Sequence, residues 1–270
     1  MPTEFRKIVW AHYRKYGRHD LPWRKTHDPY KILVSEVMLQ QTQVERVIPF
    51  YKQFIKQFPT AKRLVAASLS DVLSAWQGLG YNRRVKLLRD AAVVLSKSSY
   101  RTKLITVDEL EKLPGVGPYT ARAVAAFAYN VGVVFVETNI RTAVIHHFFT
   151  HVGCRTSHTS GRISDGEIEK ILGKVLPKGK AREWYSALMD YGSHLKRSGV
   201  RVNAQSTQYA KQSQFEGSLR QVRGAILRAL TAGTSLTNMK KKYPDRFAPA
   251  LAALAHDELI KKNGRSWRIA

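Results

Sequence analysis

Between Leu110 and Asn130 the chain reads LEKLPGVGPYTARAVAAFAYN. A helical spacing of apolar residues is broken by Pro114, Gly115, Val116, Gly117 and Pro118, then resumes at once. Inside a helix, Gly costs about 1 kcal/mol and Pro about 3 kcal/mol relative to Ala. The stretch therefore reads as two helices joined by a tight turn. Pro118 suits a first helical position, where its missing N–H is no loss. The same periodicity governs most of the chain. TEFRKIVWAHYRKYG, SLSDVLSAWQGLG, YNRRVKLLRDAAVVLSKS, NIRTAVIHHFFTHV, SDGEIEKILGKVLP and KAREWYSALMDYGSHLK all read as amphipathic helices. Ser70 or Ser68 is the N-cap candidate of the second of these. PYKILVSEVMLQQTQVERVIPFYKQFIKQF reads as two helices, interrupted near Gln40–Thr42 or at Pro49. No strand alternation appears before residue 200, so the expected fold class is all-α.

Composition shifts after the last of these helices. Residues 197–217 are polar, rich in Gln and Ser and poor in large aliphatics, which reads as a linker or extended arm. Beyond them, SLRQVRGAILRALTAG, SLTNMKKKYP and DRFAPALAALAHDELIKKNG carry three helical patterns. Asn263-Gly264 then separates two short runs and signals a hairpin. Helix, helix, helix, hairpin is the order of a winged helix. The expected organisation is a helical domain of two lobes over 1–196, a basic polar linker over 197–217, and a small winged-helix-like DNA-binding domain over 218–270.

Charge narrows the partner. There are 45 Lys and Arg against 20 Asp and Glu, a net charge of +25. Solubility alone asks for a magnitude of about 2–8 in a small domain. A polyanion is the better reading, and nucleic acid is the commonest one. No apolar run is long enough to span a membrane. The N-terminus sets charges on both sides of every apolar pair, unlike a signal peptide. A cytoplasmic monomer with no membrane partner is expected. The single cysteine, Cys154, cannot form an intramolecular disulfide, a thiolate zinc site or a four-cysteine iron–sulfur cluster. His146 and His147 lie on different helix faces, His147 and His151 form a lone pair at helical spacing, and His158 stands apart. No metal site is expected from them. The five tryptophans read as core or interface, with Trp267 of the hairpin placed to touch DNA.

Two glycines two apart in a turn leave backbone N–H groups uncovered, and the next helix adds the positive end of its dipole. That composition suits a phosphate. The Lys-Ser/Thr of a P-loop is missing, so a phosphodiester suits it better than a nucleoside triphosphate. A plain helix–helix turn has the same composition, and the motif alone leaves both readings open.

LPWRKTHDPYKILVSEVMLQQTQVERVIPFY, WQGLGYNRR, LPGVGPYTARAV, VETNIRTAVIHHFF and ALMDYG occur in this order. The series closely resembles the MutY-type adenine DNA glycosylases of the helix-hairpin-helix superfamily, over about Phe5 to His194. The resemblance implies roles by position. Glu36 matches the glutamate that protonates the leaving adenine, and Val34, Val37, Met38 and Leu39 offer the apolar surround such an acid needs. Gln40, Gln41 and Thr42 match a DNA-intercalating turn, beside which the target base is flipped out. Leu79 and Tyr81 match residues that touch the distorted duplex. Gly115, Val116 and Gly117 match the hairpin that holds the phosphate backbone, where a monovalent cation on the carbonyls is a further expectation. Tyr119 matches the position that holds the Schiff-base lysine in lyase-type relatives. Tyrosine cannot form an imine, so a glycosylase without that lyase activity is implied. Asn139 matches the asparagine after the catalytic aspartate and is expected to cap a helix starting at Ile140.

Two departures stand out. The family's catalytic aspartate aligns with Glu137, one methylene longer. A working variant, an altered substrate choice and a catalytically dead binder all remain open at this point. The family's four-cysteine iron–sulfur loop aligns with HLKRSGVRVNAQSTQYAKQSQF, which has no cysteine. Lys196, Arg197, Arg201 and Lys211 are the expected replacements for its DNA-docking charge. The winged-helix-like unit is expected to stand where the family carries its C-terminal reader of 8-oxoguanine. The expected activity is hydrolysis of the N-glycosidic bond of adenine mispaired with G or 8-oxoguanine. A glycosylase for another damaged or mismatched base and a non-catalytic lesion binder are the alternatives.

Overall fold

A computed structural model describes residues 1–97, 105–150, 162–209, 214–264 and 266–270. His151, Cys154, His158 and Lys211 lie outside the described residues. In chain order the elements are α1 (Pro2–Tyr16), α2 (Pro29–Leu39), α3 (Val44–Gln57), α4 (Ala61–Ala66), α5 (Leu69–Trp76), α6 (Arg83–Leu95), α7 (Val107–Glu111), α8 (Pro118–Tyr129), α9 (Thr138–Phe148), α10 (Asp165–Val175), α11 (Ala181–Arg197), α12 (Leu219–Thr231), α13 (Thr237–Lys242), α14 (Pro244–His256), β1 (Ile260–Asn263) and β2 (Ser266–Ile269). The fold is helical throughout, with one two-stranded ribbon among the described residues. The chain divides into two compact units. One comprises 1–32, 105–111 and 117–211; the other comprises 33–104, 112–116 and 212–270.

The first unit is built around α11, which packs against α1, α8 and α9. Its core is Trp184, Tyr185, Leu188, Ile140, Val144 and Phe135, all buried. Phe135 stacks on Tyr185 with ring centroids 3.9 Å apart. Gly192 sets the approach of α9 to α11: a Cβ on it would stand 1.9 Å from the Asn139 carbonyl oxygen. Two residues earlier, Asp190 is 2% exposed and collects the segment after α1. It accepts from Arg18 Nε at 2.7 Å, Arg18 N at 2.9 Å and Arg24 at 2.7 and 3.0 Å. Burial alone would raise this carboxyl. The hydrogen bonds and charge of Arg24, with Arg18, outweigh burial and hold it below its ordinary value. Residues 200–207, within the stretch expected as a linker, also pack here. Val202 and Ser206 are buried, Asn203 Oδ1 accepts from the Thr142 hydroxyl at 3.2 Å, and Ile163 bridges to Ser206.

In the second unit α4 and α5 pack on α6, and α3 packs on α5. Ser68 caps α5 by accepting from Asp71 N at 3.1 Å. The helical pattern breaks at 40–43 and continues through Pro49, which lies inside α3. Proline removes only its own N–H, and Pro49 and the Glu45 carbonyl four residues back belong to exposed residues that water can reach. The C-terminal part follows the winged-helix order. α12 packs on α5, α14 and β2, and Gln77 Nε2 donates to the Thr231 hydroxyl at 2.7 Å. The hairpin pairs Ile260 with Ile269, Lys261 with Arg268, Lys262 with Trp267 and Asn263 with Ser266.

Candidate active site

In the first unit two of the residues expected to act, Glu137 and Asn139, stand at the start of α9. Glu137 is its N-cap: Oε2 accepts from Asn139 N at 2.8 Å, and Oε1 accepts from Asn139 Nδ2 at 3.0 Å. The expectation that Asn139 caps a helix starting at Ile140 is therefore corrected. The helix starts at Thr138, the longer Glu137 side chain reaches the second amide, and Asn139 donates to it. Asn139 Oδ1 is buried with no hydrogen-bond partner among the described residues. Burial pushes the Glu137 carboxyl above its ordinary value, against the opposing N–H groups of Asn139 and Ile140 and the charge of Lys196. Tyr119, in the first turn of α8, meets Phe135 edge-on at 5.7 Å.

In the second unit Glu36 stands on α2 at 6% exposure, between Val34, Val37 and Met38, which are 0–5% exposed. A solvated helix glutamate would be open to water, and Glu is seldom buried. Past the end of α2, Gln41 has φ of 55°, and in the loop after α5 Tyr81 has φ of 50°. Non-glycine residues adopt this left-handed region at a cost, and such strain concentrates at working sites. Gln41, Thr42, Leu79 and Tyr81 line one groove of about 560 Å³. Gln40 lines a separate small hollow, with Leu33 and Gly115.

Arg84 joins these two loops, and nothing in the sequence marks it apart from Arg83 beside it. Its Nη1 donates to the carbonyls of Val37 at 2.7 Å and Gln40 at 2.6 Å. Its Nη2 donates to those of Leu79 at 3.3 Å and Gly80 at 3.2 Å. The guanidinium lies over Trp76 at 5.6 Å and Tyr81 at 5.3 Å. Burial pulls its pKa down to about 10. Arg220 of α12 was equally invisible. It stacks on Tyr81 at 4.9 Å and Phe215 at 5.2 Å, and hydrogen-bonds the Tyr81 hydroxyl.

The turn between α7 and α8 needs its first glycine for two reasons. Gly115 has φ of +73°, and a Cβ there would meet Leu87 Cβ at 2.6 Å. Val116 is buried and lines a small hollow with Leu33, Val37 and Leu87. Gly117 differs: its φ is −91° and nothing lies within 4 Å of its would-be Cβ. The protein alone does not demand glycine at 117, so the residue leaves the positive end of α8 bare.

The basic arm divides by role. Arg197 is exposed, Lys196 is half-buried near Glu137, and Arg201 donates to the Lys196 carbonyl at 2.6 Å, closing the end of α11. With one cysteine in the chain, the residues after α11 do not fit an iron–sulfur cluster. Among the described residues, no three His, Cys, Asp or Glu side chains are grouped to hold a metal ion. His147 Nε2 lies 2.7 Å from the Tyr191 hydroxyl. Trp76 and Trp184 are core, and Trp267 is half-buried on the inner face of the hairpin.

Comparison with known proteins identifies the family. A family model for the HhH-GPD superfamily base excision DNA repair protein matches residues 34–177. The adenine DNA glycosylase of Mycolicibacterium smegmatis is 36% identical over 237 residues, spanning 82% of this chain and 78% of its own length. That of Mycobacterium tuberculosis is 45% identical over 135 residues, half of this chain and 44% of its own length. A solved thermostable thymine-DNA glycosylase shares the fold, with a TM-score of 0.59 at 23% identity over 77% of this chain and 97% of that one. The chain belongs to the HhH-GPD superfamily of base excision DNA repair proteins.

Proposed function

We propose that this chain is a DNA glycosylase that hydrolyses the N-glycosidic bond of adenine mispaired with G or 8-oxoguanine in duplex DNA. The observation that carries the proposal is Glu36, a carboxyl held 6% exposed on an apolar helix of a base-excision repair fold. It is the residue that protonates the departing adenine, so that the base leaves neutral. The Glu137 carboxyl, fixed through Asn139, faces the positive charge that builds on the sugar as the bond breaks. Water completes the reaction. Tyr119 offers no amine, so no imine forms and the enzyme stops at the abasic site. The turn from Gly115 to Gly117 holds a backbone phosphate. Its donors to a cation are carbonyl oxygens, which suit a monovalent ion, and no step depends on one. The working form is a monomer on DNA.

A single-turnover assay tests this. Duplexes carrying A opposite 8-oxoguanine, G or C, and T or U opposite G, are incubated with excess protein, and alkali then reveals abasic sites. Cleavage of adenine opposite 8-oxoguanine or G is expected, with Glu36→Gln losing it while still binding DNA. Cleavage of T or U alone would change the substrate. No cleavage with retained binding would leave a lesion-binding protein, and full activity in Glu36→Gln would remove the general acid.

A further inference from the structure

Between Ser218 and Ala270 there are eleven Lys and Arg against three Asp and Glu. Two of those acids are already engaged. Asp257 pairs with Arg83 and Arg223, and Glu258 with Lys86 at 2.8 Å. Of the cations that make no ion pair among the described residues, the third helix carries one, Arg246. In a helix-turn-helix the recognition helix lies in the major groove and reads base edges. Here α14 exposes Ala248, Pro249 and Ala252, which offer no side-chain hydrogen bonds, and its first turn sets Asp245 beside Arg246.

The hairpin is different. Its register places Lys261 directly opposite Arg268, and Asn263 opposite Ser266. Side chains alternate along a strand, so these four share one face. All four are exposed. Ile260, Ile269 and Trp267 share the other, inner face, together with Lys262. Like charges opposite each other destabilise an antiparallel pair. Neither Lys261 nor Arg268 makes an ion pair among the described residues, so an anion is what would relieve them. We infer that the outer face of this hairpin is a sequence-independent seat for the phosphate backbone of duplex DNA, and that the C-terminal unit grips DNA by this face rather than by α14. Two cations and two neutral hydrogen-bonding groups, with no exposed apolar side chain, match phosphate oxygens. The inference specifies a partner surface for the proposed DNA enzyme and rests on that reading only for the choice of polyanion.

The test uses the full chain and an undamaged duplex, followed by fluorescence anisotropy across a salt series. Each phosphate contact contributes a slope of about −0.9 in log K against log salt. Lys261→Ser with Arg268→Ser should make the slope shallower by roughly 1.8 and weaken binding about tenfold at low salt, equally for unrelated sequences. Lys261→Arg with Arg268→Lys should restore both, which separates charge from folding of the hairpin. Arg246→Ser should leave affinity and slope unchanged. An unchanged slope in the double Ser variant overturns the inference, as does a larger loss from Arg246→Ser. Lost binding to anionic lipid vesicles with DNA affinity intact would assign the face to a membrane surface, and so also overturns it. Binding to undamaged duplex needs no excision. Hairpin-dependent binding by a protein that excises nothing therefore supports the inference while refuting the glycosylase reading. Hairpin-independent binding by an active glycosylase does the reverse.

Discussion

Replacing Arg84 tests whether one buried cation holds two loops in working order. Arg84→Met keeps most of the stem's packing and removes four hydrogen bonds, two short at 2.6 and 2.7 Å and two long at 3.2 and 3.3 Å. A hydrogen bond to a charged group is worth about 1.5–3 kcal/mol. Counting the short pair at the lower figure gives a loss of about 3 kcal/mol, and the long pair adds little. Methionine also removes the cost of burying a guanidinium whose pKa is already pulled down to about 10. The net expectation is about 2–3 kcal/mol in urea unfolding. The functional cost should be larger than stability alone explains. Val37 follows Glu36 directly, so the end of α2 and the 79–80 loop lose their shared anchor together. A misplacement of about 1 Å can cost about 100-fold in rate. Single-turnover excision, measured well below the unfolding midpoint, should fall by that order. Arg84→Lys keeps the charge, but a compact ammonium cannot fork to both loops, so its rate should resemble the Met variant. A parental midpoint in Arg84→Met would refute the anchor. Lower stability with a parental excision rate would leave Arg84 as a stabilising residue only and refute its positioning role.

Glu137→Gln should raise stability at neutral pH while cutting single-turnover excision at least tenfold. The sign follows from its raised carboxyl: its favourable contribution is complete below the ordinary carboxylate range and is lost as pH rises through the elevated value. Urea unfolding against pH should therefore lose that limb in the Gln variant. Asp190→Asn should cost about 3–5 kcal/mol, because Arg18 and Arg24 keep their charges beside a neutral amide. Asp190 is held low, so its contribution is present above the ordinary range and lost as pH falls through the lowered value. The same titration should show that acid limb in the parent and not in the variant. Gly192→Ala should cost about 3 kcal/mol or more, measured by thermal unfolding, since its methyl would stand 1.9 Å from the Asn139 carbonyl oxygen.

What the sequence made legible was local. Amphipathic helices announce themselves by spacing, and the turn at 114–118 by two residue types that helices reject. The break in the long helical run had two candidates, Gln40–Thr42 and Pro49. The proline proved tolerable because the carbonyl it orphans belongs to an exposed residue, whereas Gln41 takes a left-handed backbone that ends a helix outright. Long-range features were hidden. Arg84 reaches the Gln40 carbonyl across 44 positions, and Arg24 reaches Asp190 across 166. Residues 200–207 looked like a free arm because they are polar. Ser206 is nonetheless fully buried, since Ile163 pairs with the backbone on either side of it. Glu137 illustrates the limit at the site itself. Its identity suggested a lengthened aspartate, and the geometry shows that the carboxyl is held as the N-cap of α9 by Asn139.

The net charge of +25 overstates what the chain shows to a partner. Its cations divide into two kinds. Arg18, Arg24, Arg84 and Arg182 spend their donors on carboxylates and backbone carbonyls of their own unit. Arg182 alone donates to the carbonyls of Arg24 and Thr26 at 2.8 and 2.7 Å. Such groups cannot exchange an internal acceptor for a phosphate without loosening a loop. Lys240, Lys241, Lys242, Lys261 and Arg268 are exposed and make no ion pairs among the described residues. Counterion release registers only cations that meet phosphates. A salt titration of DNA binding therefore counts the second kind and is blind to the first, while urea unfolding weighs the first kind and is nearly blind to the second. The two measurements, made on the same set of variants, separate the charge that builds this protein from the charge that meets DNA.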